Sequence, residues 1–322
     1  MTEPAAPALS IVVPVYNGAG SIGELVDALA RLDVPGGKEI VLVNDGSPDN
    51  SEAVCRALTR RSDVAVSLLN LARNYGEHNA VMCGLRHARG CHVITMDDDL
   101  QNPPGEVLRL LRHAREGNYD VVYTYYAETR QSWTRQLGSR LTNRMADFLL
   151  DKPKGLYLSS FRCLSRFVAD RVTAYAGPYP YVDGLIMQVT QNIGALLVEH
   201  LPRRAGRSNY NFRRLMRLWL RVAVNFSVMP LRLSLLLGAA LGVAGLGASI
   251  LVLIEYFLHD LPLGYGSVMA AILVFSGAQL MIVGMLGEYV GRIYLTVSQR
   301  PQYTLRERVP AAAPAEVEAS EA

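Results

Sequence analysis

Three consecutive carboxylates, Asp97, Asp98 and Asp99, end the apolar run Val93-Ile-Thr-Met96. Acids packed this closely repel one another, and a cation is their natural counterpart. If the run is a strand, Asp97 and Asp99 leave the same face, because strand side chains alternate. Hard oxygen ligands at that spacing suit Mg²⁺ or Mn²⁺ shared with a substrate's phosphates. A solvated acidic turn would be written with the same letters. Pro103 and Pro104 stop the strand and stand where a helix would begin.

Other elements must carry chemistry to the same place. Leu9-Ser-Ile-Val-Val-Pro-Val-Tyr16 reads as a first strand broken by Asn17-Gly18, and Ser21 with Glu24 forms a capping box for the next helix. Glu39 to Asp45 is a second strand, turned by Gly46-Ser-Pro48 into another helix. Val66 to Leu71 is a third, followed by Arg73-Asn-Tyr-Gly-Glu-His78 and a helix to His87. Asp120 to Tyr125 is a fifth strand after the acidic one. Strands alternating with helices imply an α/β fold with a mostly parallel sheet. Ligands of such sheets bind beyond the carboxyl ends of the strands, where Asn17, Asp45, Asn74 and the acidic triplet all fall.

Arg130, Arg135, Arg140 and Arg144 punctuate a helical-looking stretch in which Arg135 and Ser139 share a face. A solvated charged face fits those letters equally well. Gly177-Pro-Tyr-Pro-Tyr-Val-Asp183 cannot be regular helix, and it leaves one acid after a rigid aromatic loop. A turn followed by an Asp at a helix N-terminus is as good a local account.

The chain has 322 residues, half of them hydrophobic, and a net charge of +3 that gives no ground for a nucleic-acid partner. Its cysteines (Cys55, Cys83, Cys91, Cys163) have no metal-binding spacing and read as buried free thiols of a reducing compartment. No cleaved signal is visible at the N-terminus. Leu233 to Ile254 and Ser267 to Gly287 are uncharged runs of roughly 20 residues, long enough for two transmembrane helices. Arginines precede the first and follow the second, which by the positive-inside rule puts both termini and the catalytic domain on the cytoplasmic side of an inner (plasma) membrane, in a multi-pass protein. Arg213, Arg214, Arg217 and Arg221 interleave with Leu215, Leu218 and Trp219, as in a helix lying on an anionic membrane surface. Gly238/Gly242 and Gly287/Gly291 have the spacing of close helix packing, in a hairpin or a homo-oligomer. The expected organisation is a disordered N-terminus (1–8), a catalytic domain (9–210), an amphipathic helix (211–230), a transmembrane hairpin (231–291) and a largely disordered cytoplasmic tail (292–322).

Pro14-Val-Tyr-Asn17, Asn44-Asp-Gly-Ser47, Arg73-Asn-Tyr-Gly76 and Asp97-x-Asp-Leu-Gln-x-Pro-Pro104 together resemble the inverting GT-A enzymes of glycosyltransferase family two. With the Arg130…Arg135…Ser139 block, the resemblance narrows to the polyprenyl-phosphate branch, which includes dolichol-phosphate mannose synthase and the undecaprenyl-phosphate aminoarabinose transferase. It implies a nucleotide-sugar donor, UDP-linked on the bacterial likeness, and a polyprenyl (undecaprenyl) phosphate acceptor. Pro14, Tyr16, Asn17, Asp45, Asn74, Asp97 and Asp98 would bind the nucleotide sugar. Asp97, Asp99 and Gln101 would hold Mg²⁺ or Mn²⁺. Arg130, Arg135, Ser139, Arg203 and Arg207 would hold the acceptor phosphate. Asp97, Asp99 and Asp183 complete the expected catalytic set, Asp183 through the sugar's hydroxyls. Asn44, Asp98 and Tyr125 depart from the family's usual residues, and the stretches around Arg162 and Asp183 depart where the sugar should sit. A GDP-mannose-dependent synthase and a non-catalytic nucleotide-sugar-binding protein stay open as alternatives. A processive synthase is disfavoured by the missing Q-x-x-R-W motif.

Overall fold

The computed structural model describes residues 6–126, 156–199, 201, 265–298 and 301–312, with isolated helical positions between 236 and 254. The chain divides into two compact units, one formed by Met1–Asn209 with Arg300–Ala322 and the other by Tyr210–Gln299.

The first unit is built on β1 (Leu9–Val15), α1 (Ile22–Ala30), β2 (Lys38–Asn44), α2 (Ser51–Leu58), β3 (Ala65–Leu71), α3 (Glu77–His87), β4 (His92–Thr95) and α4 (Gly105–Glu116). There follow β5 (Val121–Tyr126), β6 (Arg162–Ser165), α5 (Arg166–Thr173), α6 (Val182–Val189), β7 (Ile193–Val198) and, after the second unit, β8 (Leu305–Val309). The strands form one sheet in the order β7-β5-β6-β4-β1-β2-β3-β8. β4, β1, β2 and β3 run parallel, as expected from the alternating pattern. β6 enters antiparallel between β4 and β5, and β8 pairs antiparallel with the outer edge of β3.

Both faces of the parallel core are covered, which is why β1 and β2 read as nearly unbroken apolar runs. Ile11 and Val13 of β1 join the same cluster as Leu25 and Leu29 of α1 and Val107 and Leu110 of α4. The buried positions of α1 are Ile22, Leu25, Val26 and Leu29, one stripe of a 3.6-residue period. On the opposite face α3 packs against β1 and β2. Gly84 permits that contact, since a Cβ there would stand 2.3 Å from Val12 Cγ1 and 3.2 Å from Val43 Cγ2. The cysteines are free, but only Cys55, Cys83 and Cys163 are buried, and Cys91 is exposed where the strand opens at its N-terminal end.

Two expectations are corrected. A membrane span needs about 20 consecutive apolar residues, and among the described residues no helix is long and apolar enough to cross a membrane. The run expected as the second span lies within one helix, α7 (Tyr265–Val297), whose described apolar side chains are interrupted by Ser276, Gln279, Gly277, Gly284 and Gly287. Of the first run only scattered positions are described. The multi-pass inner-membrane placement with cytoplasmic termini rested on those spans and is withdrawn with them. Within this second unit, a Cβ at Gly238 would lie 3.5 Å from Ile282 and one at Gly245 only 2.7 Å from Phe275, so glycines bring a helical stretch close to α7. Leu280, Val283 and Ile293 of α7 are exposed. The amphipathic stretch 211–230 lies outside the described residues. The C-terminal stretch expected as a tail contributes β8.

Gly84→Val is expected to lower the unfolding free energy. Overpacking against Val12 costs about 1–3 kcal/mol, more than the few tenths of a kcal/mol gained in helix propensity. A urea midpoint equal to that of the wild type would show that α3 does not rest on β1 as described.

Candidate active site

The parallel strands leave β1 in both directions: β2 and β3 follow on one side and β4 lies on the other. The strand order therefore reverses between β1 and β4, and in open α/β sheets the crevice beyond that point is where ligands bind. Tyr16-Asn17-Gly18 follows β1 and Asp97-Asp98-Asp99 follows β4, so the two motifs meet there. Tyr16 is 48% exposed, and Asn17 adopts a left-handed backbone with φ 57°. A Cβ at Gly18 would stand 2.0 Å from Asp98 Oδ2, so any side chain there would force the Asp98 carboxyl to shift.

The β1–α1 turn is stapled to the turn after β2. Gly18 N donates to Ser51 Oγ (3.0 Å), Asn17 N to Ser47 Oγ (3.3 Å) and Ala19 N to Asp49 Oδ2 (3.2 Å). Asp45, at the end of β2, is 3% exposed and holds the next loop, accepting Tyr75 N on Oδ1 (2.7 Å) and Gly76 N on Oδ2 (2.8 Å). Burial raises the Asp45 carboxyl above the usual carboxylate range, and the two amide bonds hold it back. Asn44 is buried and donates Nδ2 to Asn70 Oδ1 (3.1 Å), tying the ends of β2 and β3. Pro14 is half-buried and Asn74 exposed at the same rim.

β4 ends at Thr95, so the acids lie beyond the strand and their directions are set by bonds instead of by strand alternation. Ser160 Oγ donates to Asp97 Oδ2 (2.6 Å), and Thr95 Oγ1 holds Ser160 O (2.6 Å). Gln101 N donates to Asp99 Oδ1 (3.2 Å). Gln101 O accepts Leu201 N (2.8 Å), which draws the chain to this turn two residues before Arg203. Asp98 is the strained member. Its Oδ2 is buried without a hydrogen-bond partner, and burial together with Asp97 and Asp99 pushes its carboxyl up to about 7. Among the described residues no three His, Cys, Asp or Glu side chains form a ready-made metal cage. A small hard cation that keeps substrate phosphates in its shell needs only one or two protein carboxylates, and the residues present fit that arrangement.

A second cluster lies beside the first. Asp183 sits in the first turn of α6, where the helix dipole favours an acid. Its Oδ1 accepts Tyr123 OH (2.9 Å) and is ion-paired to Arg162 Nη1, and the guanidinium lies 5.8 Å from the Tyr123 ring. Arg162 is 3% exposed, and its Nε has no partner. Glu77 opens α3 within electrostatic reach. The residue as a whole is exposed, yet burial of its carboxyl among neighbouring groups, with the charge of Asp97, pushes it up to about 7. His78 stacks edge-on against Tyr181 at 5.0 Å, and burial lowers its pKa.

Asn17, Asp45, Asn74, Asp97, Asp98, Asp99 and Gln101 are thus gathered at one end of the sheet, with Asp183 in the adjoining cluster. Arg130, Arg135, Ser139, Arg203 and Arg207 lie outside the described residues. Sequence reasoning gave no role to Glu77 or Tyr123, and it named Ser160 and Arg162 only as part of a departing stretch. The available signal was a lone arginine beside the apolar pair Cys163-Leu164.

A sheet of this topology, with acids and a tight turn at its switch point, is an α/β fold that offers a ligand crevice beyond the strand ends. The glycosyl transferase family 2 model matches residues 10–173, just over half of the chain, and the chain belongs to that family. It is a glycosyltransferase with a nucleotide-sugar fold. Among solved structures, glucosyl-3-phosphoglycerate synthase from Mycobacterium tuberculosis, in complex with Mn²⁺, UDP and glucosyl-3-phosphoglycerate, is similar over 68% of this chain and 78% of its own, at 17% identity and TM-score 0.50. The same enzyme with UDP alone matches at 18% identity and TM-score 0.50, covering 68% and 78%. TarS of S. aureus, solved with UDP-GlcNAc, matches at 20% identity and TM-score 0.48, over 68% of this chain and 67% of that one. At these identities the likeness concerns the fold.

Arg162→Met is expected to destabilise the protein by about 3–5 kcal/mol, because it leaves Asp183 as a buried charge without its cation. Adding Asp183→Asn should recover more than half of the loss. Urea unfolding of the single and double variants measures both, and equal stability of Arg162→Met and wild type would show that the pair carries no such load.

Proposed function

We propose that this protein transfers a sugar, with inversion, from a UDP-linked donor to a polyprenyl phosphate, giving a polyprenyl-phosphate-linked monosaccharide. The observation that carries the reading is the meeting of Tyr16-Asn17-Gly18 with Asp97-Asp98-Asp99 at the reversal of the sheet. Solved relatives of this fold contain UDP and Mn²⁺, which supports a UDP donor and a divalent cation here.

Asp99 and Gln101, with Asp97 assisting, would hold Mg²⁺ or Mn²⁺. When bound, that ion neutralises charge building on the departing nucleoside diphosphate. Pro14, Tyr16, Asn17 and Asn74 would line the nucleotide. Asp45 would act on it largely through the Tyr75–Gly76 amides that it fixes. Ser160 would keep the Asp97 carboxylate turned into the crevice. Asp183, held by Arg162 and Tyr123, would accept hydroxyls of the sugar. Arg130, Arg135, Ser139, Arg203 and Arg207 are the proposed ligands of the acceptor phosphate, for which guanidinium forks are well shaped.

The chemistry needs little from the protein by way of a base. A phosphomonoester has a second pKa of about 6 and is largely dianionic near neutrality. Its oxygen forms the new bond to the anomeric carbon while the bond from that carbon to the diphosphate oxygen breaks on the opposite face. UDP leaves with the electron pair, and configuration inverts. The carboxylates are then free to bind cation and sugar, and electrostatic preorganisation supplies the main rate effect.

Purified protein incubated with labelled UDP- and GDP-sugars, polyprenyl phosphate and Mn²⁺ should move label from a UDP-sugar into an organic-extractable, mild-acid-labile product. Transfer only from a GDP-sugar would overturn the donor assignment. Chelation by EDTA should abolish transfer, and added Mn²⁺ should restore it. Asp99→Ala should lower transfer by at least about 10²-fold, on the scale of lost electrostatic stabilisation, with its thermal midpoint unchanged. Near-normal activity of that variant with Mn²⁺ would refute the cation assignment. Arg135→Ala should lose use of the acceptor while keeping nucleotide-sugar binding, and equal weakening of both would count against a phosphate role.

A further inference from the structure

The residues that return from the second unit to β8 are bonded to both loops that bound the crevice. On the nucleotide side, Thr304 O accepts Ala72 N (2.9 Å) and Arg306 Nη2 donates to Ala72 O (3.2 Å). Those bonds grip the residue just before Arg73-Asn-Tyr-Gly76, whose amides Asp45 holds. On the sugar side, Gln302 Nε2 donates to Tyr175 O and Gly177 O, both at 2.8 Å. Gly177 lies in the loop that leads into α6, whose first turn holds Asp183. Between them, Tyr303 OH accepts Arg86 Nη1 (3.4 Å), and the same guanidinium reaches Thr173 O and Tyr175 O.

Gln302 is 6% exposed, and its Oε1 is buried without a partner. A buried, half-satisfied amide is costly. The cost makes sense if the donor end serves to hold two carbonyls that belong to no helix or strand ladder. Leucine would fill the space without donating, and glutamate would set a carboxylate against two carbonyl oxygens.

We infer that Gln302 is a positioning residue of the donor site, which sets the loop leading into the Asp183 helix at a fixed distance from the loop held by Asp45. It touches neither nucleotide nor sugar. Through it the polypeptide leaving the second unit registers the sugar half of the crevice against the nucleotide half. The inference rests on the reading of that crevice as a nucleotide-sugar site.

The test uses the full chain and two substitutions, Gln302→Leu and Gln302→Asn, the latter keeping the amide one methylene short. UDP affinity with Mn²⁺ is measured by calorimetry. The kcat and KM are measured for whichever nucleotide sugar the wild type turns over. Gln302→Leu is expected to keep UDP affinity within about twofold and to lose tenfold or more in kcat/KM for the nucleotide sugar, with Gln302→Asn intermediate. Unchanged kcat/KM in Gln302→Leu, or parallel loss of UDP affinity, turnover and thermal midpoint in both variants, would overturn the positioning role. If Gln302→Leu does not fold, a wild-type kcat/KM in Gln302→Asn overturns it and a loss at retained UDP affinity supports it. A wild type that binds no UDP with Mn²⁺ would instead bring down the reading of the crevice, and this inference with it.

Discussion

Negative charge crowded at one point of the sheet is the constraint around which the first unit is arranged. Asp97, Asp98 and Asp99 share a turn, Asp183 and Glu77 stand within electrostatic reach, and among the described residues Arg162 is placed beside them as a buried cation. Each acid is managed differently. Asp97 takes a serine hydroxyl, Asp99 takes a backbone amide, and Asp183 takes the guanidinium and a phenol. Asp98 has an oxygen left with nothing and a carboxyl raised to about 7. Burial first, and the neighbouring charges of Asp97 and Asp99 after it, disfavour a third charge there.

Arg162 shows how a buried ion can organise function without doing chemistry. Removing both charges and packing the space with apolar side chains is often neutral or stabilising in proteins, so the pair needs a reason other than stability. The reason in keeping with the geometry is direction. With Tyr123 and Arg162 both on Oδ1, the Asp183 carboxylate has a fixed orientation at the head of α6.

The parallel core was legible because β1, β2 and β3 are mostly apolar runs followed by Asn17, Asp45 and the Arg73 loop, and the sheet rule sends such ends to one edge. The acidic turn was legible for the same reason, although β4 stops before the acids and bonding partners, not strand alternation, aim them. β6 was not legible. It is four residues long, carries Arg162, and gains its place only by slipping antiparallel between β4 and β5. β8 was hidden likewise, since Leu305-Arg-Glu-Arg-Val309 reads as charged tail and is a strand only because β3 offers an edge. The apolar run at 267–287 did announce a helix, which α7 contains, but an apolar count over letters was no substitute for a described helix able to cross a bilayer.

The lateral pairing of β3 with β8 has a consequence for biosynthesis. Arg56 and its partner Glu307 are 251 positions apart, so a long stretch of polypeptide must leave the ribosome after α2 before that flank of the sheet can close. Until then the nascent chain presents an open strand to its neighbours, a hazard for self-association. Among the described strands β8 is thus the late one that covers the outer edge of β3, and a chain terminated upstream of it would leave that edge uncovered.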